Sequence, residues 1–382
     1  MKSIKVKNYN ENVLEQLKIS MPQEWEKASD KFAGIEKWIE KKNFPTYKQL
    51  KELAHIFHIP FGYFFLEGLP ERKYPIPHYR TTTEDNINFQ PSPELLETVE
   101  YIQLLQDWAK EILIDWGHEP LPFIEKYNIK SDINDIVIEL KHVLELQDNW
   151  AKFINTWSEA FNSLIHKAEK AGIFVAVNGV VGNDTHRNLD VDEFRGFVLC
   201  DKIAPLIFIN NQDAISAKIF TLIHEIVHLF IGESASFDLR NLQSADNEIE
   251  RFCDKCSAQF LVPTIEIERL KQIDIEKDIE NLSRQFKVSP IVIARRLLDT
   301  NKISKEQFLN FYNEHIKKER RKMACNQGGN FYNTAIRRYG RKFIEIISIG
   351  IESGIIHYRD AYPLTRLKPA TFEKIKQEVL ST

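Results

Sequence analysis

Two histidines four residues apart on a helix can aim both imidazoles at one metal ion. Residues 221–230, TLIHEIVHLF, hold such a pair in His224 and His228, with Glu225 beside the first. Glu225 lies about 100° round the helix from His224, within reach of a water that the metal would hold. This is the H-E-x-x-H arrangement of a zinc hydrolase. Phe220, Leu222, Ile223, Ile226, Val227, Leu229 and Phe230 make the helix apolar almost all round, so it must be buried. A glutamate and two histidines inside a core cost free energy unless something satisfies them, and a metal with its water does so. The alternative is an ordinary core helix carrying two satisfied histidines.

A third ligand is sought downstream, in residues 249–263, IERFCDKCSAQFLVP. Glu250 and Asp254 stand one turn apart on an expected helix. The first suits a carboxylate ligand; the second suits a carboxylate that orients a ligating histidine from outside. Glu248 competes for the ligand role, but two residues away on a helix it faces the other side. Cys253 and Cys256 form a lone C-x-x-C without a second pair, which reads more simply as two small core residues than as a metal or redox site. The basic run KKERRK, 317–322, reads as the solvated end of a helix.

These groups need elements to hold them. Residues 1–70 form a small helical unit, clearest at 44–65, FPTYKQLKELAHIFHIPFGYFF, where Pro45 and Thr46 open a helix that Pro60 stops. The pattern resembles the last helices of a phage-repressor-type helix-turn-helix domain, with residues 34–42 as recognition helix. That stretch of 70 residues contains no arginine, the side chain best suited to bidentate guanine contact, so DNA is only a weakly supported partner. Pro75 and Pro77 mark 71–85 as a linker. Helices are expected over 93–116, 133–146 and 149–170, and strands at 172–181, 194–200 and 205–210, leading into the H-E-x-x-H helix. Helices follow at 248–261, as a pair around Val288, Ser289 and Pro290, and in a C-terminal helical segment from Gln327. The expected domains are 1–70, 71–148, 149–300 and 301–382.

At 382 residues the chain has room for two or three domains, and 43% hydrophobic with 28% charged residues describes a folded protein. The net charge of −4 argues against a dedicated nucleic-acid binder, although a basic patch can hide locally. Four scattered cysteines, no apolar leader after Met1 and no run of 18 apolar residues lead us to expect a cytoplasmic protein without membrane contact.

The run 194–210, FRGFVLCDKIAPLIFIN, with 220–232 and 249–263, resembles the ImmA/IrrE family of metallo-endopeptidases. The family pattern is H-E-x-x-H followed by E-x-x-A-N-x-F-A-A-x-L-L-M-P; here Cys253 stands for the alanine and Asp254 for the asparagine. A repressor-like N-terminal unit, a PIPHYRT-like linker and the RRLLD segment are similar to the family's longer members. The resemblance implies an α+β fold: a zincin-like core with a small mixed sheet and an active-site helix, flanked by all-α regions. It also implies zinc on His224, His228 and Glu250, with Glu225 catalytic and Asp254 supporting. The strand at Arg195, Gly196 and Phe197 would bind substrate by strand addition. The expected substrate is a specific regulatory protein, a repressor or a toxin–antitoxin partner. The rival expectation is an antitoxin or transcriptional regulator that binds a toxin or DNA with little proteolysis.

Overall fold

The computed structural model describes residues 5–57, 59–70, 91–232, 248–270, 275–322 and 331–380. The expected linker at 71–85 and Cys325 lie outside them. By contacts the chain divides into two units, Met1–Lys73 and Tyr74–Thr382.

The first unit packs α1 (Glu11–Ser20), α2 (Pro22–Lys31), α3 (Glu36–Ile39) and α4 (Tyr47–Ile56) around Leu14, Leu17, Trp38, Leu53 and Phe57. Thr46 and Gln49 close a capping box that starts α4. The expected recognition helix at 34–42 is a correction: only the single turn of α3 forms. Gly34 at φ 113° precedes it and Lys41 at φ 53° follows it, both outside helical space, while Trp38 turns inward to the core.

The second unit is a mixed α+β layer structure. Helix α5 (Pro93–Asp115) starts at the Ser92 cap, α6 (Ile133–Val143) at the Asp132 cap. The helix expected over 149–170 is instead a 3₁₀ turn, Trp150–Phe153, and a separate α7 (Trp157–Lys170). Asn149 sits in the left-handed region and Thr156 with Glu159 caps a fresh helix start, which accounts for the break. Strands β1 (Phe174–Asn178), β2 (Val180–Val181), β3 (Asp184–Asn188), β4 (Gly196–Leu199) and β5 (Leu206–Asn210) follow. Three form one sheet in the order β1-β5-β4, with β1 parallel and β4 antiparallel to β5; β2 and β3 make a small hairpin. β3 was not expected, because its polar, mostly exposed residues lack the apolar alternation that betrays a strand.

Alternation splits the main sheet between two cores. Val175, Val177, Val198, Ile207 and Ile209 share a core with α6, α7, α8 (Ile215–Ile231), α9 (Glu248–Leu261), α10 (Thr264–Glu268), α11 (Ile275–Phe286) and α12 (Pro290–Asp299). Phe174, Ala176, Phe197, Leu199 and Phe208 face α5 together with the helices that follow α13 (Lys305–Lys322), namely α14 (Phe331–Tyr339), α15 (Arg341–Glu352), α16 (Tyr358–Thr365) and α17 (Pro369–Leu380). The boundaries drawn near 148 and 300 from the sequence therefore run through this unit, since helices on both sides of them bury the same sheet. No helix among the described residues is long and apolar enough to cross a membrane.

Helix α8 is buried from Lys218 to Ile231 and ends on Gly232 at φ 72°, a left-handed C-cap. A Cβ there would come within 2.7 Å of the Glu125 backbone. Gly232→Ala adds that overlap to a left-handed cost of roughly 1–2 kcal/mol, so the variant is expected to melt several degrees below wild type in a thermal scan. An unchanged melting temperature would show that the α8 terminus relaxes freely.

Candidate metal centre

Helix α8 delivers His224, Glu225 and His228 from inside the core, at 2%, 0% and 1% exposure. Helix α9 packs across it and supplies Glu250. His224 Nε2 is 3.0 Å from Glu250 Oε2 and 3.0 Å from His228 Nε2, and His228 Nε2 is 3.1 Å from Glu250 Oε1. These are the donors that can hold a metal ion together. One ligand atom from each of the three residues lies within 4.8 Å of the others, close enough to share one metal ion. Two imidazole nitrogens and one carboxylate are a donor set that would suit a divalent metal such as zinc.

Asp254, one turn beyond Glu250, places Oδ1 3.1 Å from His224 Nδ1. An Nδ1–H donated to that carboxylate leaves Nε2 as the metal-facing nitrogen. Burial opposes charge on His224, but the hydrogen bonds to Asp254 and Glu250 outweigh it and raise its pKa to about 10. Burial likewise opposes ionisation of Glu250, and its bonds to His224 and His228 reverse that, holding it well below the usual carboxylate range. Without a metal, His224 and Glu250 would therefore favour an ion pair, and a bound cation would displace the proton. Asp254→Ala should weaken zinc binding about 10–100-fold, measurable by competition with a chelating dye; equal affinity would mean that Asp254 does not orient His224.

The expected substrate-binding residues divide. Gly196 lies against α8: a Cβ on it would sit 2.6 Å from Thr221 Cγ2, 2.9 Å from the Phe208 carbonyl and 3.7 Å from Glu225 Oε1. Only a glycine lets β4 pass this close to the buried carboxylate. Phe197 points the other way, because the strand alternates: its ring is wholly buried on the opposite face, stacked on Phe208 at 5.1 Å. Arg195 donates from Nη1 to Asp213 Oδ2 at 3.0 Å, and Asp213 accepts the Ala214 amide where α8 begins, so the pair fastens the start of β4 to the helix entry. Sequence reasoning missed Thr221 as the residue that Gly196 accommodates. It also missed Cys200, whose partly exposed thiol is pushed up to about 12 by burial and by the nearby Glu225. Cys253 and Cys256 are fully buried, and burial raises both thiols, Cys256 to about 12, so they serve the core as uncharged groups.

A buried His-His-Glu cluster with a second glutamate beside it, on a helix backed by a small sheet, is a group that could bind a metal. Residues 168–298, which include the whole cluster, match the family model of the IrrE N-terminal-like domain, Peptidase_M78. This segment is similar to a metallopeptidase-type domain. The comparisons with curated proteins and with solved structures give no match.

Proposed function

We propose that the chain is a zinc-dependent endopeptidase with a zincin-like core that cleaves a specific regulatory protein, a repressor or a toxin–antitoxin partner. The observation that carries this reading is Glu225, fully buried on α8 next in sequence to one of three convergent donors and opposite the glycine of an edge strand. Zinc, when bound, lowers the pKa of its water toward neutrality and polarises the scissile carbonyl. Glu225 accepts the proton of the attacking water and passes it to the departing amine. Asp254 holds the tautomer and ring orientation of His224 throughout.

Strand β4 is an edge of its sheet among the described residues. The Arg195 carbonyl accepts the Asn210 amide at 2.8 Å, so by the two-residue period the main-chain groups of Gly196 and Val198 point to the outer edge. An extended substrate paired there would run past Glu225, and Gly196 would leave room for it. The test incubates the zinc-loaded chain, and the same chain after chelation, with each protein encoded beside it. The expected result is one new N-terminus, found by mass spectrometry only with zinc. Stable binding of a neighbouring toxin without any cut, with or without zinc, would favour the antitoxin reading instead.

A further inference from the structure

Behind the metal centre, on the Nδ1 side of His224, lies a cavity of about 750 Å³. Its walls are α9, α12, Phe220 of α8 and the first residues of α6. Helical spacing supplies the cations: Arg251 and Lys255 lie four apart on α9, and Arg295 faces them from α12. Arg296 closes the inner end. It is only 8% exposed, and its guanidinium donates to the Val262 carbonyl at 3.0 Å, to Gln259 at 2.6 Å and to Thr264 at 2.7 Å, all neutral acceptors.

Four cations thus line a cavity that holds two acids, and both acids are engaged: Asp299 by Arg295 at 3.0 Å, Asp254 by His224 at 3.1 Å. A net positive groove in a chain of net charge −4 is a local departure from the charge of the whole. Between the cations the wall is apolar, with Phe220, Ala258, Ile291 and Val292. A small inorganic anion has no use for such a wall. A peptide alternating acidic and apolar side chains satisfies both kinds of surface.

We propose that this groove anchors an acidic, partly apolar peptide segment of a partner or substrate protein, at a place separate from the bond that is cut. The site goes beyond the peptidase reading, because it meets the centre through Asp254 and the Phe220 ring, and Asp254 lies on the side of His224 that faces away from the metal position. An occupant there selects a protein by a segment remote from cleavage. Tight recognition is thereby separated from the sequence at the scissile bond.

The experiment uses the full chain carrying Glu225→Gln, so that binding is read independently of hydrolysis. The probe is a fluorescein-labelled peptide of about ten residues alternating Glu and Leu, with its Gln-for-Glu counterpart as control, followed by anisotropy. The acidic probe should bind at least about tenfold tighter than the control, and R251E/K255E/R295E should lose at least about tenfold. Those three residues are exposed, so the variant is expected to fold, and its circular dichroism and melting curve check this; Arg296 is spared because its loss would break three internal hydrogen bonds. Raising salt from about 0.05 M to about 0.5 M should weaken the acidic probe alone. Equal binding of the control, or full affinity in the folded triple variant, overturns the proposal. So does displacement of the probe by inorganic phosphate at matched ionic strength, which would mark a small-anion site. Duplex DNA that binds with the same sensitivity to R251E/K255E/R295E would replace a peptide partner by nucleic acid.

Discussion

Glu225→Gln is expected to remove peptide hydrolysis while leaving zinc in place. The change keeps the size of a side chain that is wholly buried, so α8 and the sheet behind it should pack as before. It replaces the group able to accept a proton by an amide that cannot. Positioned general acid–base catalysis contributes about 10²–10⁴-fold, and a drop in kcat of that order is the predicted result. Because Glu225 is not among the three convergent donors, the variant should titrate with one equivalent of zinc at close to wild-type affinity. Loss of zinc together with activity would make Glu225 a ligand rather than a base. Undiminished cleavage would move the base elsewhere.

How much of this was legible in the sequence depended on how local each feature is. His224, Glu225 and His228 lie within one helical turn, and helix geometry alone makes them neighbours. Glu250 required two helices to cross, which spacing does not dictate, yet its one-turn offset from Asp254 marked a usable pair. The edge strand was harder. Gly196, Phe197, Val198 and Leu199 are all buried, because helices cover both faces of the sheet, so the pattern does not tell which residue looks toward the site. Hence Arg195, Gly196 and Phe197 were expected at the site together, although alternation turns Gly196 toward Glu225 and the Phe197 ring away from it. The C-terminal helices show apolar faces that must be covered, but nothing in their spacing says that the cover is Phe174 and Phe208 of the sheet. The cationic groove was hidden for the same reason: Arg251 and Arg295 come from helices some 40 residues apart, and in the linear chain each is an isolated surface charge.

Glu250→Ala carries the other large effect, and its pH dependence separates ligand from bystander. With His224, His228 and Glu250 intact, the metal-free protein keeps His224 protonated up to a pKa of about 10. A folded-state pKa above the unfolded value of about 6.5 stabilises fully below pH 6.5 and loses that contribution as pH rises toward 10. Glu250, held below its ordinary value, contributes above about pH 4.3 and is lost only in acid. The metal-free wild type should therefore melt at lower temperature at pH 9 than at pH 6. Zinc must expel the His224 proton to bind, so its apparent affinity should climb over the same interval, with proton release seen in calorimetry across two buffers of different ionisation enthalpy. Glu250→Ala removes one of three protein ligands and also the counter-charge that holds the proton on His224. The variant should bind zinc at least about a hundredfold more weakly, by analogy with the 10–100-fold effect of merely disturbing a supporting residue. Its metal-free melting temperature should lose most of its slope between pH 6 and 9. A variant that bound zinc normally would exclude Glu250 as the third ligand, and one that kept the full slope would show that Asp254 alone sustains the charge on His224.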